Sequence, residues 1–244
     1  MLEIRNITKQ YGNAKRGMHK GRKNRSKEPQ DWQKMKKALD DVSLTLTEGV
    51  YGLLGPNGAG KSTLMNIITD NLAPNAGSIL WNGKEIGALG REYRSLLGYA
   101  PQQQGLYESF TGRRFLSYLG TLKNIPKEEL ADEIERVACF VNLKQALDQS
   151  IGAYSGGMKQ RLLVAQAMMG DPKLLILDEP TAGLDPRERV RLREGIARIA
   201  QGKIVLVATH VVSDVQSIAK EIIILKEGKI VAKDTVEALC ARYE

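Results

Sequence analysis

The chain has 244 residues and a formal net charge of +8, from 36 Lys and Arg residues against 28 Asp and Glu residues. This length suits one or two domains, and a hydrophobic fraction of 42% excludes a chain that is disordered throughout. The two cysteines, Cys139 and Cys240, exclude a disulfide framework and a zinc site, and they fit a reducing compartment. No apolar run approaches the roughly 20 residues that span a bilayer, so we expect any membrane role to come through a partner protein.

The positive charge is concentrated in residues 13–37. Ten basic residues lie there against only Glu28 and Asp31, so this segment carries the whole +8 and the remaining chain is neutral. It contains three Gly and Pro residues and no apolar periodicity, which predicts a loop or disorder, with a short helix near residues 31–37 as the alternative. We interpret the protein as a neutral body that carries one basic insert.

Strand and helix patterns alternate along most of the chain. Apolar or alternating runs predict strands at residues 1–8, 38–46, 50–54, 78–81, 96–100, 174–177, 204–208, 221–225 and 229–232. Helical spacing predicts helices at residues 63–72, 127–141, 162–169, 187–200 and 211–219, and only helices between residues 105 and 149. The sequence therefore predicts an α/β core that a helical insertion interrupts.

Residues 55–62 read GPNGAGKS and lie between a predicted strand and a predicted helix. Glycines there allow backbone N–H groups to converge on phosphate oxygens, and the N-terminus of the following helix faces the same anion. In such a loop Lys61 reaches the β- and γ-phosphates of a nucleotide and Ser62 binds Mg²⁺. The alternative is a chance glycine-rich turn, which the flanking strand and helix disfavour.

Residues 174–179 read LLILDE, an apolar strand that ends in two acidic residues. Ligands bind at the carboxyl edge of open α/β sheets, where Asp178 and Glu179 would lie. Beside a phosphate loop, Asp178 is placed to hold the Mg²⁺ shell and Glu179 to polarise an attacking water. Without that loop, an exposed acidic pair would explain the two residues equally well.

Residues 154–161 read YSGGMKQR and lead into an apolar helix. Ser155 is a favourable N-cap, but helix capping alone does not explain the two glycines that follow it. Gly156 and Gly157 favour a second helix N-terminus that approaches phosphate closely.

These motifs, in this order, resemble those of the nucleotide-binding subunits of ABC transporters. Residues 55–62 match the family's Walker A loop, residues 174–178 its Walker B strand and residues 155–160 its signature motif; Gln102 matches the Q-loop, residues 183–186 (GLDP) the D-loop, His210 the switch histidine and Tyr11 the aromatic that stacks on adenine. Several of these matches are weak alone, and their order carries the resemblance. It covers residues 2–243 except 13–37.

The resemblance implies an α/β fold: a P-loop NTPase core with a mixed, largely parallel sheet, an N-terminal antiparallel β subdomain and an inserted α-helical subdomain. It implies a single ABC ATPase domain over residues 1–244. The RecA-like core would comprise about residues 1–104 and 165–244, the helical subdomain about residues 105–164, and the basic insert residues 13–37.

The resemblance also implies an ATPase that uses ATP and Mg²⁺. Its catalytic residues would be Glu179, His210, Lys61 and Gln102, and its Mg²⁺ ligands Ser62, Gln102 and Asp178. The residues that contact ATP would be Tyr11, Asn57, Gly58, Ala59, Gly60, Lys61, Ser62, Thr63, Ser155, Gly156, Gly157 and Asp185.

Members of this family act as pairs, in which the signature motif of one subunit caps the ATP held by the other. The resemblance therefore implies a second ATPase subunit, either an identical copy or a different one, and a separate integral-membrane permease that docks on the helical region. It implies that the permease holds the subunit at the cytoplasmic face of the membrane. The sequence is also similar to cassettes of bacterial exporters, which favours export.

Two features depart from the family pattern. Tyr154 stands where the signature usually has Leu, and we expect it to pack rather than to bind. The insert follows directly after Tyr11 and Gly12, so it puts the position of Tyr11 beside adenine in doubt.

The insert also keeps other interpretations open. It is a solvated loop, a contact with anionic lipid or permease, or an RNA contact, although Trp32 is its only aromatic residue. The alternative function is accordingly a soluble ABC ATPase that acts on nucleic acid or ribosomes through the insert. One cassette without heptad repeats favours transport, and we expect no stable nucleic-acid partner.

Overall fold

The computed structural model describes residues 1–12, 36–102 and 105–242. In this part of the chain the strands are β1 (Leu2–Tyr11), β2 (Lys36–Leu46), β3 (Gly49–Leu54), β4 (Ala76–Trp81), β5 (Lys84–Glu85), β6 (Leu97–Ala100), β7 (Leu174–Asp178), β8 (Ile204–Thr209), β9 (Glu221–Lys226) and β10 (Lys229–Asp234). The α-helices are α1 (Lys61–Ile68), α2 (Ile86–Leu89), α3 (Arg91–Ser95), α4 (Gly112–Leu122), α5 (Lys127–Phe140), α6 (Gly156–Met168), α7 (Pro186–Ile199) and α8 (Val236–Cys240).

The smaller sheet is antiparallel, with the order β2-β1-β4-β5. Leu2 pairs with Leu46 at one end of β1, and Tyr11 pairs with Lys36 at the other. Because Leu2, Ile4 and Ile7 are buried, one face of this sheet covers an apolar core. The antiparallel β subdomain predicted for the N-terminal region is confirmed.

The larger sheet has the order β10-β9-β3-β8-β7-β6, and all its neighbouring strands are parallel except β9 and β10. Every residue of β7 and β8 is buried, as continuous apolar runs predict for parallel strands covered on both faces. This is the mixed sheet of the predicted P-loop NTPase core.

The two faces of the larger sheet bury separate apolar cores. Tyr51 and Leu53 of β3 pack into the core shared with α1 and the smaller sheet, whereas Val50 packs into the core shared with the helical region. Alternate residues of one strand thereby fix the phosphate loop on one side and the helices on the other.

Helix α6 connects the helical region to the sheet and runs without a break past residue 164, the predicted boundary of the helical subdomain. A Cβ atom at Gly98 of β6 would lie 2.0 Å from the carbonyl oxygen of Ala167, so only glycine permits this close approach. Gln166 donates to the carbonyl of Tyr99 at 2.7 Å and fastens the same contact.

Three expectations from the sequence were wrong in detail. Residues 211–219 form no α-helix; only Val212–Asp214 make a short 3₁₀ turn, because the Asp214 carboxylate accepts from Thr181 in another loop and the Ser213 carbonyl accepts from Arg193 of α7. The helix expected at residues 63–72 spans Lys61–Ile68. The basic insert is also shorter than expected, since Lys36 and Lys37 belong to β2; residues 13–35, with most of the helix proposed near residues 31–37, lie outside the described residues.

Candidate active site

The phosphate loop connects the carboxyl end of β3 to the N-terminus of α1. Gly60 adopts φ 111°, and a Cβ atom there would lie 2.4 Å from the carbonyl oxygen of Ala38. Gly58 adopts φ 79° with nothing near the place of its missing Cβ. Both positions favour glycine, and no side chain of the described residues caps α1, so its first N–H groups face the cleft.

Lys61 is a buried cation inside this loop. Its Nζ donates to the carbonyl oxygens of Gly55 and, at 3.3 Å, Pro56. The loop backbone therefore fixes the ammonium group where it adds positive charge to the N-terminus of α1.

Asp178 is the last residue of β7, opposite the phosphate loop, and it is only 5% exposed. Burial and, to a smaller extent, the neighbouring Glu179 carboxylate raise the pKa of its carboxyl to about 6. The Lys61 cation and the backbone N–H of Gln102 oppose that rise. Asp178 is therefore a desolvated carboxylate, which favours a cationic ligand.

Glu179 is held at the end of β8. Its Oε1 accepts from the backbone N–H of His210 at 3.0 Å and lies 2.7 Å from Nδ1 of the same residue, while Oε2 accepts from Thr209 Oγ1 at 3.1 Å. The Glu179 side chain is 8% exposed and the His210 side chain 64%, so the imidazole lies between the buried carboxylate and solvent.

The backbone of Glu179 is also constrained. Its φ is 50°, a left-handed conformation that is uncommon for a residue with a Cβ. Its N–H donates to the carbonyl of Ala208 at 2.8 Å, and its own carbonyl accepts from Gln160 Nε2 at 3.1 Å. These bonds hold the carboxylate at a fixed place although the backbone conformation is strained.

Most of the predicted site residues line one cleft of about 380 Å³. They are Tyr11, Asn57, Gly58, Gly60, Lys61, Ser62, Thr63, Gln102, Asp178, Glu179 and His210. Tyr11, 53% exposed, lies at the wall of this cleft. Ala59 lies beneath the loop, where it is buried and its carbonyl accepts from the N–H of Gly228.

The other four predicted contacts, Ser155, Gly156, Gly157 and Asp185, do not line this cleft. Ser155 Oγ caps α6 by accepting from the N–H of Met158 at 3.2 Å, and Asp185 Oδ1 caps α7 by accepting from two N–H groups at 3.0 Å. Gly157 packs on the loop before α7, since a Cβ there would lie 2.9 Å from the carbonyl oxygen of Gly183. Gly156 has open space around the position of its missing Cβ.

Tyr154, the departure in the signature motif, is a packing residue as expected. It is buried, and its hydroxyl donates to the carbonyl of Ala146 at 2.7 Å. Two further buried polar residues near Glu179, Thr181 and Asp214, carry no signal in the local sequence pattern, because each depends on a partner that is distant in the chain. Gln160, inside the signature motif, also contacts the backbone carbonyl of Glu179.

The fold and this cleft define a nucleotide-binding ATPase of the phosphate-loop class. A family model described as "ABC transporter" matches residues 39–182. The ATP-binding protein YxlF of Bacillus subtilis is 37% identical over 203 residues, which cover 83% of this chain and 67% of that protein. The chain therefore belongs to the ABC transporter family and is an ATP-binding, ATP-hydrolysing subunit.

Other relatives extend this similarity. The ABC transporter ATP-binding protein NatA of Bacillus subtilis is 32% identical over 213 residues, covering 86% of this chain and 87% of NatA. The Nod factor export ATP-binding protein I of Rhizobium sp. (strain N33) is 35% identical over 210 residues, 85% of this chain and 69% of that protein. A solved ATP-binding subunit of an ABC transporter superposes with a TM-score of 0.82 at 25% identity, over 100% of this chain and 93% of the other.

Within residues 1–12, 36–102 and 105–242, no helix combines the length and the apolar character that a membrane span requires.

Proposed function

We propose that this cleft binds ATP with Mg²⁺ and that its side chains divide the work of hydrolysis. The observation that carries the proposal is that Lys61, Asp178, Glu179 and His210 line one cleft. Lys61 and the loop N–H groups hold the phosphates, because they bring positive charge to the end of α1. Tyr11, Asn57, Gly58, Gly60 and Thr63 provide the remaining walls for the nucleotide, with Ala59 as the buried base of the loop.

The residues present fit a Mg²⁺ ion. Ser62, Gln102 and Asp178 offer a hydroxyl, an amide and a desolvated carboxylate, and oxygen donors with one or two carboxylates are what Mg²⁺ takes beside phosphates. Among the described residues no cluster of three His, Cys, Asp or Glu side chains forms a separate metal site. When bound, Mg²⁺ supplies charge stabilisation to the phosphates.

Glu179 is the proposed general base. A carboxylate held by Thr209 and His210 has a fixed direction, and it accepts a proton from a water that attacks the γ-phosphate. The exposed ring of His210 shields this carboxylate from bulk solvent and orients it through Nδ1.

The test is Glu179→Gln, which keeps the shape of the side chain but removes its basicity. We expect the rate of ATP hydrolysis to fall about 100-fold or more, while the affinity for ATP changes by less than about threefold. Phosphate release and calorimetry measure the two quantities on the purified chain. Hydrolysis near the wild-type rate would exclude Glu179 as the base.

The four residues outside the cleft point to a second subunit. Gly156 is open and Ser155 exposed, and both lie at the N-terminus of α6, where an anion is favoured. We propose a head-to-tail homodimer in which Ser155, Gly156, Gly157 and Asp185 of one copy complete the cleft of the other. Each copy carries both halves of the site, so two competent sites form.

An aromatic cluster on the helical region supports docking to a permease. The rings of Tyr107 and Phe110 stack at 5.1 Å, Tyr118 meets Tyr107 edge-on at 6.2 Å, and Arg114 lies 4.1 Å above Phe110. Tyr107 and Tyr118 are nevertheless about half exposed, at 52% and 45%, and exposed aromatic groups near arginine are typical of protein interfaces. We propose that this aromatic cluster binds a separate integral-membrane permease.

The permease would hold the subunit at the cytoplasmic face of the membrane. Similarity to a Nod factor export protein favours export as the direction of transport.

We propose the division of residues 1–244 into a core at about 1–104 and 165–244 and a helical subdomain at about 105–164.

Copurification tests the docking surface. Tyr107→Ser with Tyr118→Ser is expected to abolish recovery of a polytopic membrane protein in detergent extracts, while ATP hydrolysis by the purified chain stays within about twofold. Val231→Ser, at an exposed valine of β10, is the matched control. Unchanged recovery of the same membrane protein with the double variant would place the interface elsewhere.

The basic insert is proposed to add a contact with anionic lipid. Tyr11 and Lys36 pair at the ends of β1 and β2, so a short Gly-Ser linker can replace residues 13–35. Each basic residue near an anionic surface contributes about 1 kcal/mol, and we expect the deletion to reduce cosedimentation with anionic but not neutral vesicles. Equal binding by both proteins would remove the lipid contact from the proposal.

A further inference from the structure

Two loops leave the carboxyl edge of the larger sheet side by side. Residues 179–185 follow β7 and begin with Glu179; residues 210–215 follow β8 and begin with His210. The ladder between these strands ends at the pair Asp178–Ala208. Beyond that pair, isolated hydrogen bonds must keep the base and the histidine in register.

A buried side-chain pair joins the two loops. Thr181 Oγ1 donates a hydrogen bond to Asp214 Oδ2, and the two residues are only 3% and 2% exposed. The other carboxylate oxygen, Oδ1, has no hydrogen-bond partner within the described part of the chain. The Thr181 hydroxyl is therefore the side-chain donor on which this desolvated carboxylate depends.

This pair differs from the other contacts between the loops. Glu179 reaches Thr209 and His210 through its own carboxylate, and those contacts compete with a water molecule for the same lone pairs. The bond between Thr181 and Asp214 uses no atom of Glu179 or His210. Thr181 and Asp214 also lie outside the lining of the cleft. It can persist while the carboxylate of Glu179 accepts a proton.

Short turns connect the pair to the base and to the histidine. The N–H of Ala182 donates to the carbonyl of Glu179 at 3.1 Å, and the N–H of Asp214 donates to the carbonyl of Val211 at 3.0 Å. A shift of Thr181 relative to Asp214 would therefore move the backbone at both ends of the Glu179–His210 contact.

We propose that Thr181 and Asp214 are a positioning pair that sets the separation of Glu179 and His210 during hydrolysis. The inference rests on the proposed roles of Glu179 and His210. The pair acts on the catalytic step and not on nucleotide affinity, because the phosphate loop lies on β3 and α1 and has no part in it.

The first test removes the hydroxyl with Thr181→Val and restores it with Thr181→Ser. We expect Thr181→Val to lower kcat about 10-fold or more, with KM for ATP within about twofold, and Thr181→Ser to return kcat to near the wild-type value. Thr69→Val is the matched control, since Thr69 is also buried and its hydroxyl bonds only to groups within five residues of it in the chain, namely the carbonyls of Met65 and Asn66 and the side-chain amide of Asn71.

The second test separates positioning from stability. Replacing both partners, as in Thr181→Val with Asp214→Leu, leaves no unpaired carboxylate, so the melting temperature is expected to recover relative to Thr181→Val. If the pair positions the loops, kcat stays low in this stable double variant. Recovery of kcat together with stability would reduce the pair to a packing contact and overturn the proposal.

The third test asks whether the pair acts through the histidine. In a His210→Ala background, adding Thr181→Val is expected to lower the remaining kcat by less than about twofold. Fully additive losses would overturn the proposal. Wild-type kcat in all Thr181 and Asp214 variants would also overturn it, and loss of activity in Glu179→Gln would then show that the proposed function itself stands.

Discussion

The residues predicted to contact ATP form two groups, and only one of these groups lines the cleft of its own chain. Lys61, Asp178 and Glu179 are brought to one cleft by parallel strands whose carboxyl ends share an edge. Gly156 and Asp185 lie at the N-termini of α6 and α7, outside that cleft. The fold of one chain brings the first group together, whereas the second group lies outside the cleft of its own chain.

The largest expected effects come from separating the two groups in different chains. Lys61→Ala removes the buried cation of the loop, and Gly156→Asp places a negative charge where the partner's phosphate would lie, without a steric clash. Each variant alone is expected to lose at least about 100-fold in ATP hydrolysis. In a homodimer, mixing them equally should restore about a quarter of wild-type activity, since half of the dimers contain one intact site.

Phosphate release from the mixed proteins measures this restoration. The control is a mixture in which Gly156→Ala replaces Gly156→Asp beside Lys61→Ala. A small apolar side chain fits the open space at Gly156 without adding charge. If the mixture is no more active than its components, the signature motif does not act across a dimer and the comparison between the two groups fails.

A smaller effect concerns the free energy of unfolding, which the buried carboxylate of Asp178 in the first group lowers. The folded protein raises the pKa of Asp178 to about 6, so folding favours the protonated form and stability decreases as pH rises from about 4 to 6. Asp178→Asn removes this cost and is expected to stabilise the nucleotide-free protein at pH 7.5 by about 2 to 3 kcal/mol.

Denaturant unfolding at pH 4 and pH 7.5 measures the difference. Asp185→Asn is the matched control, because Asp185 lies outside the cleft and asparagine also caps helices. An Asp178→Asn variant that is no more stable than the wild type at pH 7.5 would show that the buried carboxylate carries no such cost.

The smallest effect is expected at Tyr154, beside the second group. Tyr154→Phe removes one of two donors to the carbonyl of Ala146, which still accepts from the N–H of Gln149, and should destabilise the chain by about 1 kcal/mol. ATP hydrolysis should stay within about twofold, since the hydroxyl points into the helical region and away from the cap at Ser155. Thermal unfolding and phosphate release measure both, and a large loss of hydrolysis would make Tyr154 more than a packing residue.

Local sequence patterns predicted the phosphate loop and the parallel strands well, because glycine spacing and continuous apolar runs act over a few residues. The helix expected at residues 211–219 shows where such patterns fail. Val215 is fully buried, so the apolar spacing is real, but Asp214 bonds to Thr181 in another loop rather than supporting a helical turn. Apolar periodicity alone cannot distinguish the two outcomes.

The class of protein and the chemical identity of its site could be read from local residue patterns, since residues 55–62 and 174–179 each carry their chemistry within a few residues. Which of these residues meet depends on the folded arrangement of the strands. Glu179 and His210 are 31 positions apart, and only the pairing of β7 with β8 joins them. The same pairing brings Thr181 beside Asp214 and leaves Gly156 outside the cleft, because contacts between distant segments depend on strand order and not on local residue pattern.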